Sequence, residues 1–120
     1  MARVDMRMSA EQIDSFLRRC PSMVVTAVDD DGEMSSAVAA TAMNDGALVL
    51  EFAEHDPVID LIGDGRKIAC VADESPSYYE IQGVMVHGVA VAQPGSDTRF
   101  AIDIDEIVSF DFGKITQRMQ

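Results

Sequence analysis

The sequence predicts a mainly β domain: a closed, antiparallel barrel of six strands, with one helix at its start and a short one after its third strand. Three observations predict it. Two Asp-Gly pairs, Asp31-Gly32 and Asp45-Gly46, stand between apolar runs, and such pairs are strong hairpin signals because Gly takes positive φ without steric cost. Apolar runs of strand length recur along the rest of the chain, separated by turn residues. Two segments carry the capping signals of a helix, so the order reads α-β-β-β-α-β-β-β. Short hairpin connections through most of that order favour an antiparallel closed barrel over a parallel α/β sheet.

The opening helix is marked at both ends. Ser9 is the N-cap and Gln12 completes an S-x-x-Q capping box. Ile13, Phe16, Leu17 and Cys20 fall at i, i+3, i+4 and i+7, giving one apolar face. Arg18 and Arg19 suit the negative end of the helix dipole, and Pro21 stops the helix. This helix is expected to plug one end of the barrel. The meander follows, with strands over 23–28, 33–43 and 47–53. Asp56-Pro57 reads as N-cap and first helical residue of a short helix through Val58, Ile59, Leu61 and Ile62, ended by Gly63 and Gly65. A fourth strand is expected over 66–72, a loop over 73–77, and a long fifth strand over 78–92. Gly83 and Gly88 inside that strand mark bulges, bends or close backbone approach. After a turn at 93–96, one helical turn is expected over 97–102. A sixth strand is expected over 106–112, where Ile107, Ser109 and Asp111 alternate with Val108, Phe110 and Phe112. A polar tail ends the chain.

Length and charge narrow the function. The 120 residues make a single domain, 1–120. An apolar fraction of 48% excludes disorder, and the eight Met suit adaptable packing in a core or interface. The net charge of −12 excludes nucleic acid and anionic membrane surfaces as partners, since both need a basic footprint. Asp29-Asp30-Asp31 reads as a solvated turn tip, without the ligand spacing and distal Glu of an EF-hand. Cys20 and Cys70 form no CxxC pair, the N-terminus has no apolar signal core, and no apolar run is long enough to cross a membrane. These features point to a cytoplasmic protein with two reduced, core-packed thiols.

The pieces of this order also resemble a known family. They are the amphipathic helix over 9–20, the strand Met23–Val28 with its Asp-Gly turn, and the strands around Asn44-Asp45-Gly46. To these add the helix Val58-Ile59-Asp60-Leu61 leading into Arg66-Lys67-Ile68-Ala69-Cys70-Val71, and the strand Val84-x-Val86-x-Gly88-x-Ala90. In this order, over about residues 9–112, they resemble the FMN-binding split barrel of the pyridoxamine 5′-phosphate oxidase-like superfamily, in particular its minimal FMN-binding proteins. The resemblance implies a six-stranded split β-barrel, a homodimer, and two FMN molecules in clefts between the barrels. It implies an FMN-dependent oxidoreductase in which the flavin does the redox chemistry and the protein orients it. Carried onto this sequence, contacts to the flavin ring fall at Ser36, Ala37, Val38 and Phe52. Contacts to the phosphate fall at Ala53, Glu54, His55 and Asp56. The resemblance also admits a split-barrel dimer that has lost strong FMN binding and serves as a non-catalytic binding protein, or a relative that binds haem or a deazaflavin.

The sequence departs from the family where the phosphate belongs. The family supplies Thr or Ser hydroxyls and Arg or Lys cations there; this chain has Ala53-Glu54-His55-Asp56-Pro57, and no Lys or Arg from Cys20 through Gly65. A phosphate dianion beside Glu54 and Asp56 is repelled. Asp56 as N-cap occupies helix N–H groups, and Pro57 removes another donor. His55 could offset this in part, and Arg66, Lys67 or a partner's Arg99 are the cations that could serve instead. His87 reads as an interface or rim residue, or else as a haem ligand or flavin hydrogen-bonding group. Tyr78 and Tyr79 could border a flavin across a dimer interface. No P-loop, catalytic triad, paired-carboxylate arrangement or metal-ligand spacing is present.

Overall fold

The computed structural model describes residues 5–63, 65–74 and 80–114. Two helices and six strands follow one another: α1 (Ala10–Arg19), β1 (Ser22–Val28), β2 (Met34–Asn44), β3 (Ala47–Glu51), α2 (Pro57–Ile62), β4 (Lys67–Glu74), β5 (Gln82–Ala92) and β6 (Arg99–Asp111). The strands close into an antiparallel barrel in the order β1-β2-β3-β6-β5-β4. The expected fold class is therefore the observed one.

The turns form for the reasons the sequence suggests. Asp45 and Gly46 both have positive φ, 50° and 81°, as a two-residue primed hairpin turn requires. At the other hairpin the Asp29 carboxylate accepts hydrogen bonds from the N–H groups of Asp31 and Glu33, each at 2.9 Å, so the acidic run is a self-braced loop. In α1, the Ser9 hydroxyl accepts from Gln12 N–H at 3.2 Å and the Gln12 side chain accepts from Ser9 N–H at 2.8 Å.

Alternation along the strands builds the core. Met23, Val25, Leu48, Leu50, Cys70, Val84 and Val86 point inward and are almost completely buried. Each such side chain contributes about 1.5–3 kcal/mol of burial. The two helices close the two ends. Phe16 and Leu17 of α1 enter the core where β1 begins and β4 ends; there Arg19 pairs with Glu74. Val58 and Ile62 of α2 enter at the opposite end, where β4 begins. The plug expected of α1 is present, and α2 forms a second one.

Two differences concern the C-terminal half. The helical turn expected at 97–102 does not form; β6 already begins at Arg99. Residues 99–101 pair with Glu51, Leu50 and Val49 of β3 on one side, and residues 100–102 with Ala92, Val91 and Ala90 of β5 on the other. This double pairing closes the barrel, and it buries Phe100 and Ile102 on one face, so tertiary pairing overrides a weak local signal. The second difference is β5, which starts at Gln82; Tyr78 and Tyr79 lie outside the described residues.

The interior glycines behave as expected. The β5–β6 register slips between His87 and Gly88, so that Asp105 has no partner opposite it. A Cβ at Gly88 would overlap the carbonyl oxygen of Asp103, so the bulge tolerates no larger residue.

Candidate functional site

The proposed ring and phosphate residues gather at one end of the β2–β3 ladder but belong to two different surfaces. Pairing of β2 with β3 stops at Ala40 opposite Glu51. Residues 36–38 and 52–56 both run on beyond that point. Phe52 turns away: its N–H donates to the Thr98 carbonyl, and its ring is buried edge-on against Phe100 at 5.9 Å. It can offer a ligand its backbone but not its ring. Ser36 and Val38 point outward from the barrel, and Ser36 shares a 2.9 Å hydrogen bond with Thr26 on β1.

Val38 opens an apolar wall. It pairs with Val24, Val24 with Val71, Val71 with Met85, and Met85 with Val108. The five side chains form one row across β2, β1, β4, β5 and β6, at 65%, 45%, 38%, 37% and 50% exposure. Soluble surfaces rarely leave so many apolar side chains side by side. The next outward row is Ser36, Thr26, Ala69, His87 and Glu106, in which Glu106 is the one carboxylate. His87 thus stands on the outer wall, between Ala69 and Glu106. At the lower margin the ring of Phe110 lies over Gly83 and packs against Phe112 at 5.5 Å. A shallow cavity of about 290 Å³ is sunk in this wall, lined by Val24, Val38, Val71, neighbouring residues of β1 and β4, and the exposed Asp73 at its edge.

The phosphate residues form another cavity, of about 600 Å³, with Glu54, His55, Asp56, Ile59 and Asp60 on one side and residues 95–98 on the other. The chain enters it through a tight turn in which Asp56 N–H reaches the Ala53 carbonyl at 3.3 Å. His55 sits in that turn with φ of 64°, the left-handed region, which costs a non-glycine residue about 1 kcal/mol. Its exposed imidazole is the single nitrogen base of the lining. Four carboxylates, those of Glu54, Asp56, Asp60 and Asp97, line the same cavity. Among the described residues no three metal-binding side chains come together, here or elsewhere.

Several of the donors that could receive an anion here are already used. Pro57 has no N–H. Val58 N–H donates to the Asp56 carboxylate at 3.0 Å, and Ile59 N–H to the Asp56 carbonyl at 3.0 Å. Thr98 donates its hydroxyl to Glu51 at 2.9 Å, and Ser96 Oγ accepts the N–H groups of Thr98 and Arg99. The cations named as substitutes are paired as well: Arg66 with Asp30 at 2.9 Å, Lys67 with Asp105 at 3.6 Å, and Arg99 with Glu51 at 3.2 Å. Arg66 also donates to the Val28 carbonyl, so it braces the Asp29–Gly32 loop.

Neither thiol is placed for nucleophilic chemistry. Cys70 is fully buried, and desolvation pushes its thiol up to about 12. Cys20 donates its thiol to the Ser22 carbonyl at the end of α1. Residues 95–98, Ile59 and Asp60 were not singled out by the sequence as site residues. The turn at 93–96 was legible, but its approach to residues 54–56 follows from β3 pairing with β6.

No protein-family model and no curated protein matches the sequence. Solved structures do match. A conserved hypothetical protein, Rv2991, from Mycobacterium tuberculosis superposes with a TM-score of 0.76 at 18% identity, covering 97% of this chain and 92% of its own. An FAD binding protein from Mycobacterium smegmatis gives 0.73 at 12% identity, over 89% of this chain and 99% of its own. A candidate pyridoxamine 5′-phosphate oxidase from Corynebacterium glutamicum gives 0.71 at 16% identity, over 88% and 95%. At these identities the likeness is one of fold, and it extends over nearly the whole chain. Among the described residues no helix is long and apolar enough to cross a membrane.

Proposed function

For a chain with the split-barrel fold of the pyridoxamine 5′-phosphate oxidase-like proteins, we propose a flavin-binding homodimer acting as an oxidoreductase, with the flavin ring held against the outer wall at β1 and β2. The observation that carries this reading is the row Val38, Val24, Val71, Met85 and Val108, with its cavity beside Val38. A second copy is the occupant that suits it. A chain of net charge −12 repels its own copy least where carboxylates are few; the five-residue row itself carries none, and the carboxylates nearest it are Asp73 in its cavity and Glu106 in the next row. A wall of this kind also pairs with itself about a two-fold axis, as a dimer interface must. A flat apolar ring then fits between the copies, lined by Val24 and Val38 and by the backbone of β2.

The fit is divided. The wall suits the ring; the cavity at residues 54–60 suits a phosphate poorly, because it presents four carboxylates and, among the described residues, no Lys or Arg in its lining. The bound flavin would supply the redox chemistry. The chain's part is to bind and orient it and to keep water from its covered face. His87, with Ala69 and Glu106 beside it, is expected at the rim of the interface. A second reading, favoured by the acidic cavity, is a split-barrel dimer that binds no flavin and works as a binding protein.

The visible spectrum decides between them. Flavin bound to the purified protein gives bands near about 375 and 450 nm that survive desalting or return on adding flavin. A protein that stays colourless after incubation with both riboflavin and FMN supports the second reading. A single strong band near about 400 nm indicates haem instead.

A further inference from the structure

We infer that this site binds riboflavin at least as tightly as FMN, because the terminal phosphate brings it no net gain in affinity. The inference rests on the flavin-binding reading above and adds the chemical class of the cofactor. FMN and riboflavin share the ring and the ribityl chain and differ only by a phosphate of nearly two negative charges at neutral pH. That phosphate is where an adapted site usually gains much of its grip, through N–H groups, hydroxyls and cations.

Most of those sources are engaged within the chain, the exposed His55 imidazole apart. The first three residues of α2 offer no N–H: Pro57 lacks one, and those of Val58 and Ile59 are bound to Asp56. The hydroxyls of Ser96 and Thr98 serve the β5–β6 turn and Glu51. Of the seven Lys and Arg side chains among the described residues, six are ion-paired to a carboxylate, and the seventh, Lys114, donates to the Arg7 carbonyl. What faces the cavity instead is Glu54, Asp56, Asp60 and Asp97. A phosphate entering it loses hydration, meets four like charges and gains at most the His55 imidazole. Removing the phosphate removes these penalties and leaves the contacts of the ring.

The test is a pair of titrations of the wild-type protein, with riboflavin and with FMN, followed by quenching of flavin fluorescence. They are repeated on the variant Glu54→Gln/Asp56→Asn. Asn caps a helix about as well as Asp, so this variant loses two charges without losing the cap. The expected result is riboflavin binding equal to or tighter than FMN in the wild type. In the variant FMN affinity rises by about tenfold, while riboflavin affinity moves by less than about twofold. Raising salt from about 0.05 to 0.5 M should also tighten FMN binding and leave riboflavin unaffected, because only the former is opposed by screened charge. FMN binding tighter than riboflavin by more than about twofold overturns the inference while leaving the flavin reading intact. Failure of both flavins to bind at about 100 µM overturns the flavin reading itself, and the inference with it.

Discussion

The outer wall and the acidic cavity occupy the same barrel and are built by opposite means. Along the wall, strand register sets apolar side chains from five strands in one row, and the row beside it carries one carboxylate. At the cavity a turn, a helix start and a second turn bring four carboxylates together, and the N–H groups that open α2 and the Thr98 hydroxyl are bound within the chain. The wall leaves five apolar side chains exposed on the single chain; the cavity gathers like charge instead. In a split barrel meant to grip a phosphorylated cofactor both regions should solicit a ligand. Here only the wall does so, and this difference separates a fold suited to flavin from a site suited to phosphate.

Substitutions that strike these regions separately should rank as follows. The largest effect is expected where both regions share support. Gly88→Val drives a side chain into the Asp103 carbonyl beneath the β5–β6 bulge. It should cost about 4 kcal/mol or more and leave little folded protein, measured by denaturant unfolding. A stable variant would show that the bulge is slack.

Next comes the wall alone. Val108→Asp places a charge in the exposed row without touching the core or either cavity. The folded barrel should remain, with an unchanged circular dichroism spectrum. Dimer association should weaken by about 100-fold or more, read as a fall from about twice 13.0 kDa to one chain in sedimentation velocity. An unchanged dimer would move the interface elsewhere.

The acidic loop alone should respond modestly. Asp56→Ala removes the cap of α2 and should lower stability by about 1 kcal/mol, whereas Asp56→Asn should change it by only a few tenths. Equal losses would mean that the charge, and not the cap, is what matters. His55→Gly relieves a left-handed residue and should raise stability by up to about 1 kcal/mol. A loss instead would reveal an imidazole contact that holds the turn.

Cys70 gives the pH dependence. Burial raises its pKa from 9.0 to about 12 in the folded state, so the unfolded chain ionises first. The stabilising contribution is complete below pH 9 and declines as pH rises toward about 12. Cys70→Ser should flatten that alkaline decline at the expense of overall stability. In the native wild type, thiol reagents at neutral pH should label Cys20 and spare Cys70.

Much of this was legible in the residues. The Asp-Gly pairs placed two hairpins, the Ser9–Gln12 box placed α1, and Asp56-Pro57 placed α2, because each is a local arrangement whose geometry the residues themselves dictate. The acidic character of 54–56 was legible for the same reason. The start of β6 was not, since Arg99–Phe100–Ala101 becomes a strand only when β3 and β5 flank it. The wall was also hidden. Met23-Val24-Val25 reads as a buried run, and nothing local reveals that Val24 faces outward beside Val38 and Val71. The second side of the cavity, residues 95–98, depends on the same non-local pairing.

The most direct measurement of the whole account is riboflavin binding to the wild-type protein and to Val108→Asp, followed side by side with the mass of each in solution. A flavin held between two walls binds the dimer, two per dimer, and binds the monomeric variant at least about tenfold more weakly although Val108 lines neither cavity. A monomeric variant that binds riboflavin as tightly as the wild type would contradict the account, because the ring would then need only one barrel.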